Sequence, residues 1–162
     1  MHWQWDGVDF RFLHPGRHFP YLDNESSCVL RVEAHGRVAL LPGDIGEVVE
    51  RMLVRAQDPA LRADVVLVPH HGSGEGSEPR FVAATQARWA LVSAGHRNRF
   101  GHPRPEVVAR WRAAGAQVRG TYESGAQRVV LGEAGVVFSA EREVDRRLWD
   151  AVAAFAASTR PR

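Results

Sequence analysis

The sequence predicts a layered α/β (α+β) domain, built as a mixed sheet with helices packed on it. Two observations lead to this class. Short runs of β-forming residues alternate with segments of helical periodicity between residues 44 and 114, and paired β-type runs come before and after that stretch. The chain has 162 residues, 44% of them hydrophobic, which suffices for one core. We therefore expect a single domain over residues 1–162.

The first third of the chain has the pattern of antiparallel strands. Residues 8–14 alternate apolar and polar side chains, as a half-buried strand does, and Pro15 and Gly16 end the run. Residues 28–34 and 37–41 are β-type runs separated by the turn-forming pair His35 and Gly36, which predicts a hairpin. The only cysteine, Cys28, cannot form an internal disulfide and is expected inside the first of these strands.

The middle of the chain changes period. Apolar residues from 45 to 56 recur on one helical face, and Asp44 with Glu47 resembles a capping box. The following predicted elements are buried strands at 64–69 and 89–93 and helices at 78–86 and 106–114. A second hairpin is expected from 128–131 and 136–139, and the spacing of apolar residues predicts a C-terminal amphipathic helix at 141–157.

The charge and hydropathy of the sequence exclude few classes of partner or function. The formal net charge is +2 and every basic residue is arginine, which permits a polyanionic partner without selecting one. No apolar stretch approaches the ~20 residues that span a bilayer, and the N-terminus lacks the layout of a signal peptide. We expect this polypeptide to be soluble.

Two strand exits carry residues with metal-binding chemistry. His70 and His71 leave a predicted buried strand toward Gly72 and Ser73, and paired imidazoles there can donate neutral nitrogens to a metal. The alternative is that one imidazole caps the strand end and the other is solvated. Asp44 also follows a strand, where its carboxylate could bridge metal ions or cap the next helix.

A third exit, residues 93–103, concentrates polar side chains in one loop. Arg97 or Arg99 could hold a phosphate while His102 moves a proton, or the loop could be a plain connector ended by Pro103. Asn24, Ser26 and Ser27 could together orient a site, or they could bond nearby backbone, as such side chains in a loop usually do. The remaining polar and aromatic candidates are interpreted as structural: His14 and His18 in loops, Trp89 and Trp111 in the core, and residues 121–125 in a turn.

Seven short motifs, taken in order, resemble the C-terminal hydrolase domain of ComEC proteins, which act in DNA uptake. The resemblance covers roughly residues 5–139. The motifs are Trp-Asp-Gly-Val at 5–8, Leu-His-Pro at 13–15, Asn-Glu-Ser-Ser-Cys-Val-Leu at 24–30, Leu-Leu-Pro-Gly-Asp at 40–44, Val-Pro-His-His-Gly-Ser at 68–73, Ser-Ala-Gly-His-Arg-Asn-Arg-Phe-Gly-His-Pro at 93–103 and Thr-Tyr-Glu-Ser-Gly-Ala at 121–126.

The resemblance implies a metallo-β-lactamase-type αβ/βα sandwich with two divalent ions, zinc or manganese. Asp44 would bridge the ions and His71 would bind one of them. The other implied roles are catalytic for His70, His102 and Asn98, and substrate-binding for Ser73, Arg97 and Arg99. The implied reaction is hydrolysis of DNA, with the strand that does not enter the cell as substrate, by a parent protein in the bacterial inner membrane.

One family motif is absent from the sequence. Neither His-x-Asp-x-Asp-His nor His-x-His-x-Asp-His occurs, so we expect the chain to be the second half of the domain, inactive alone and without tightly bound metal. A half sandwich exposes a sheet, so its expected partners are the upstream half, the membrane channel of the parent, single-stranded DNA or a second copy. The alternatives are a metal-free module that binds DNA or protein, and a small-molecule metallo-hydrolase.

Overall fold

Seven strands form one mixed sheet, which confirms the predicted fold class. The computed structural model describes residues 1–16, 18–20, 22–56 and 59–145. The strands lie in chain order: β1 His2–Trp5, β2 Val8–His14, β3 Val29–Ala34, β4 Arg37–Leu41, β5 Val65–Leu67, β6 Trp89–Val92 and β7 Gln117–Gly120. Neighbours are antiparallel from β1 to β4 and parallel from β4 to β7.

Three helices connect the parallel strands. They are α1 Glu47–Arg55, α2 Pro79–Thr85 and α3 Pro105–Ala113. Because the parallel strands follow one another in order, crossovers of the usual right hand place all three helices on the same face of the sheet. Consistent with this, α1 contacts α2 and α2 contacts α3.

The core lies between this helical layer and the sheet. Leu40, Val66 and Ala90 stand side by side on neighbouring strands, and each is fully buried. Phe81 and Trp111 pack against them from the helices and are at most 1% exposed. This apolar layer fixes the ends of β4, β5 and β6 relative to one another, and it thereby positions the loops that follow those strands.

The opposite face of the sheet is only partly covered. A two-stranded sheet, β8 Gln127–Gly132 and β9 Gly135–Ala140, lies over β3 and β4, and Phe138 stacks on Trp89 with ring centroids 5.1 Å apart. Farther along the same cross-strand row, Trp3 stacks on Phe10 and remains 37% exposed, while Trp5 is 75% exposed. This face therefore carries uncovered aromatic surface at its β1 edge.

Most predicted elements are confirmed to within a residue or two, and four details differ. The β1 and β7 strands were not predicted. The capping box is wrong, because Gly46 is the N-cap residue of α1 and Asp44 lies outside the helix. Cys28 lies exposed just before β3, not inside it. Residues 121–125 contain a short helix, α4 Thr121–Ser124, where a turn was predicted.

The predicted C-terminal helix at 141–157 extends beyond the described residues. Its first turn is present as α5 Glu141–Val144, and the rest lies outside the part of the chain that the structure describes. In the described ranges, no helix has both the length and the apolar character needed to cross a bilayer.

Candidate functional site

The candidate site lies at the edge of the sheet where the parallel strands end. Asp44 follows β4, the two adjacent histidines follow β5, and the loop 93–104 follows β6. Carboxyl ends of parallel strands meet at one edge, and loops there are the usual place for ligand sites in α/β sheets. The topology therefore brings together the three strand exits that the sequence marked as chemical.

The turn after β5 holds its residues in left-handed backbone conformations. His70, His71 and Gly72 have φ angles of 49°, 56° and 81°. Left-handed conformation costs roughly 1–2 kcal/mol for a residue with a side chain. Hydrogen bonds from the neighbouring loops hold it: the His70 amide donates to the Gly43 carbonyl at 3.1 Å, and the Arg104 amide donates to the Gly72 carbonyl at 2.8 Å.

Asp44 and His71 converge on one point. The His71 Nε2 atom lies 3.5 Å from Oδ1 of Asp44. The other ring nitrogen, Nδ1, donates to the carbonyl oxygen of Ser93 at 2.8 Å, so neutral His71 presents an unprotonated Nε2 toward the carboxylate. Asp44 is free for this contact because it does not cap α1, where the Glu25 carboxylate accepts from the Val49 amide at 3.4 Å.

The Asp44 and His71 pair fits two ligand positions of a metal ion but not a whole site. Zinc bonds of about 2.0–2.1 Å at a tetrahedral angle put two ligand atoms about 3.4 Å apart, close to the observed separation. Catalytic zinc sites have three protein ligands. Among the described residues, no group of three His, Cys, Asp or Glu side chains could hold a metal ion. A further donor is therefore needed to complete coordination.

His70 and His102 lie beside the pair. The Asn24 amide nitrogen donates to Nε2 of His70 at 3.2 Å, so Asn24 orients that ring from the polar loop between β2 and β3. The rings of His70 and His102 are 6.3 Å apart at their centroids. Burial, and then the Arg104 guanidinium, lower the pKa of His102 below its usual value. His102 is thus favoured as a neutral imidazole, the form that can accept a proton.

The side chains of Asn98 and Ser73 are occupied by their own loops. The Asn98 amide nitrogen donates to the carbonyls of Gly95 and His102, at 3.0 and 2.6 Å, and its oxygen accepts from the His102 amide at 3.0 Å. Ser73 is 6% exposed, and its hydroxyl accepts from the Glu75 amide at 3.3 Å. The catalytic role of Asn98 and the substrate contact of Ser73 stay predictions, and these geometries give both residues a positioning role.

Two cavities flank the Asp44 and His71 pair. One, of about 430 Å³, is lined by Asp44, His70 and Asn24. The other, of about 370 Å³, is lined by His71, His102 and Phe100 among others. An extended ligand can therefore occupy both sides of the point where the carboxylate and the imidazole meet.

The two arginines predicted to bind substrate stand farther out on the loop after β6. Arg99 lies over the ring of Phe100, with its guanidinium carbon 4.7 Å from the ring centroid. Arg97 lines a third cavity, of about 400 Å³, together with Arg112 and Tyr122. Sequence reasoning gave no role to Phe100 or to the Ser93 carbonyl. Phe100 lies among polar and charged residues that drew attention first, and the Ser93 carbonyl is a backbone group that no residue type indicates.

The chain is similar in sequence to several known proteins. No protein-family model matches the chain. Over 134 residues, 83% of this chain and 19% of the relative, it is 41% identical to Competence protein ComA of Neisseria gonorrhoeae. Over 101 residues, 62% of this chain and 13% of the relative, it is 35% identical to ComE operon protein 3 of Bacillus subtilis. This chain is similar to bacterial competence proteins.

The similarity extends to Recombination protein 2 of Haemophilus influenzae, which is 30% identical over 127 residues, 78% of this chain and 16% of that protein. The chain thus spans less than a fifth of the length of these competence and recombination relatives. The relatives confirm the resemblance to competence proteins. The finer assignment to a metallo-β-lactamase-type domain stays a prediction, as do the site roles.

Proposed function

We propose that this chain forms part of a metal-dependent phosphodiesterase domain that hydrolyses DNA during DNA uptake, in a protein of the ComEC family. The observation that carries the proposal is the approach of Asp44 to His71 at the carboxyl edge of the parallel strands. The names of the relatives supply the biological setting, competence and recombination. In the proposal, the chain is one half of a metallo-β-lactamase-type sandwich.

In this proposal, different residues of the chain would bind the metal, accept a proton and contact the phosphate. Asp44 and His71 would supply two ligands, and the remaining donors would come from another segment of polypeptide. A bound divalent ion there would lower the pKa of a water molecule and withdraw charge from the phosphate. Neutral His102 would accept a proton at its imidazole, and His70, oriented by Asn24, would contact the phosphate from the other side.

A second candidate function is a binding module for single-stranded DNA or for a partner protein that needs no metal. It is favoured by the shortage of metal ligands among the described residues. In that case Asp44 and His71, with side chains 40% and 53% exposed, would form an ordinary surface contact, worth about 0–1 kcal/mol when His71 is protonated. The two functions differ in whether divalent ions and Asp44 are required for DNA cleavage.

Cleavage of a labelled single-stranded oligonucleotide separates the two functions. The polypeptide encoded by the complete gene is assayed with manganese, with zinc and with EDTA, as wild type and as Asp44→Ala, His71→Ala and Glu133→Ala. Glu133 is the matched control, a carboxylate that is 89% exposed in the turn between β8 and β9. Loss of a metal ligand should reduce cleavage by at least about 100-fold, whereas Glu133→Ala should retain it. Cleavage that persists in EDTA or in Asp44→Ala would refute the metal-dependent function.

A further inference from the structure

Phe100 is an exposed aromatic residue beside the candidate site, and its surroundings are unusual for a surface side chain. It is 57% exposed, yet its ring contacts two planar groups. The His102 ring stacks on it with centroids 5.8 Å apart and planes 12° from parallel. The Arg99 guanidinium carbon lies 4.7 Å from its centroid.

The turn that carries Phe100 is held rigidly by backbone contacts. The Gly101 amide donates to the Asn98 carbonyl at 3.1 Å, and Gly101 has a φ angle of 66°, which favours glycine. The Asn98 side chain ties both ends of the same turn together through Gly95 and His102. The ring is therefore presented to solvent by a preorganised loop, so little conformational entropy is lost when a ligand packs on it.

The position of the ring relates it to the proposed chemistry. Phe100 lines the same cavity of about 370 Å³ as His71 and His102, together with Ala94 and Thr121. A nucleotide whose phosphate lies at the Asp44 and His71 pair carries its base a few ångströms away. An aromatic ring backed by a guanidinium is a sequence-tolerant surface for a nucleobase.

We propose that Phe100, braced by Arg99 and His102, is a stacking platform for an unpaired nucleobase of the DNA substrate. The inference rests on the proposed function and adds the residue that would hold a base of the single strand. In a duplex, neighbouring bases cover both faces of each base, so a paired base cannot stack on Phe100 without leaving the helix. The platform thus selects single strands, and Arg99 attracts the adjoining phosphate.

Photo-cross-linking tests the contact directly. The purified chain is irradiated in EDTA with a single-stranded oligonucleotide that carries one 5-iododeoxyuridine, and the products are digested with trypsin. The cross-link should fall on the peptide 100–110, which begins with Phe100. A cross-link confined to other peptides would overturn the proposal.

Affinity measurements show whether a base binds by aromatic stacking on Phe100 or only by apolar contact with it. Phe100→Ala and Phe100→Leu should each weaken binding of a single-stranded oligonucleotide by about 10-fold, and Phe100→Tyr should stay within about 2-fold of wild type. Val137→Ala is the control, since Val137 is 61% exposed on β9 of the other sheet. Equal affinities for wild type and Phe100→Ala, or full affinity in Phe100→Leu, would rule out the platform.

Failure of the Phe100 platform can be distinguished from failure of the proposed DNA hydrolysis, because binding is measured in EDTA, where no metal-dependent cleavage occurs. If cleavage is absent while the Phe100 variants still lose affinity, the platform stands and hydrolysis fails. If cleavage depends on Asp44 while affinity is indifferent to Phe100, hydrolysis stands and the platform fails.

Discussion

Two carboxylates near the start of α1 occupy opposite environments. Glu50 is fully buried, and its two oxygens accept from the amides of Ser77 and Glu78 at 2.7 and 2.5 Å. Asp44 is 40% exposed and meets only an imidazole, at 3.5 Å, among the contacts that the described residues make with it. The first carboxylate organises the loop before α2, and the second faces open space between two cavities.

The difference shows how the fold divides structural from chemical roles. Around Glu50 the loop 73–78 is closed by further contacts: Trp111 Nε1 donates to the Ser77 hydroxyl at 3.0 Å, and Arg110 donates to the Ser77 carbonyl at 2.6 Å. Each of those polar groups is satisfied within the protein. Asp44 retains free acceptor capacity at the surface, which a functional group needs and a structural group does not.

The largest expected effect is on the buried region. Glu50→Ala leaves the amides of Ser77 and Glu78 without acceptors in the core, and each unsatisfied donor costs about 1–3 kcal/mol. The free energy of unfolding should fall by about 3–4 kcal/mol in urea denaturation. Glu47→Ala changes a half-exposed carboxylate that pairs with Arg51 on the same helix, so it should cost less than about 1 kcal/mol. Similar losses of unfolding free energy in both variants would show that Glu50 has no special structural role.

The same buried carboxyl should make stability depend on pH. Burial raises the pKa of Glu50 from 4.5 to about 7, against the opposing effect of the two amide donors. Between these pH values the native state holds a proton that the unfolded chain has released, so stability falls as pH rises through this window.

Glu50→Gln isolates this dependence, because glutamine does not titrate. Between pH 5 and pH 8, wild type should lose on the order of 2 kcal/mol relative to Glu50→Gln. The measurement is urea denaturation of both proteins at several pH values. A constant difference between them across this range would show that Glu50 is already ionised at pH 5.

An intermediate effect is expected at the turn that carries the two histidines. Gly72→Ala puts a side chain at φ 81° and its Cβ 2.5 Å from Cβ of Pro103, so it should cost about 2 kcal/mol in thermal or urea unfolding. Gly74→Ala is the control two residues later, where the nearest atom to an added Cβ is 3.8 Å away. Equal stability of the two variants would mean that the close contact between Gly72 and Pro103 does not stabilise the fold.

The smallest effect on stability is expected at the functional carboxylate. Asp44→Asn removes a charge from a pair whose side chains are 40% and 53% exposed, so the free energy of unfolding should change by less than about 0.5 kcal/mol. Thermal unfolding monitored by circular dichroism measures this change. A loss comparable to that of Glu50→Ala would mark Asp44 as a structural residue.

The sequence predicted β5, β6 and the loops that follow them well, because these two strands are buried. Residues 64–69 and 89–93 are short, continuously apolar runs, and such runs indicate strands covered on both faces. Asp44, the histidine pair and the loop 93–103 were placed correctly at strand ends by the same reading. What the sequence left open was whether Asp44 caps α1, and the answer depends on Glu25, about twenty residues earlier.

Other features depend on contacts that no local pattern reveals. Glu50 is a charged residue on an amphipathic helix, and nothing in its neighbours indicates burial, because its partners lie in the loop before α2. The β7 strand has four residues, with Arg119 and Gly120 among them, too few and too mixed for a periodic pattern. The orientation of His71 depends on a backbone carbonyl at Ser93, which sequence does not encode as a residue type.

A double-mutant cycle on DNA cleavage tests the central claim that Asp44 and His71 act at one point. Cleavage by the complete gene product is measured for Asp44→Ala, His71→Ala and the variant with both changes. If the two side chains serve one centre, either single change removes most of the activity and the second adds little. Losses that multiply, or near wild-type cleavage in either single variant, would contradict the account.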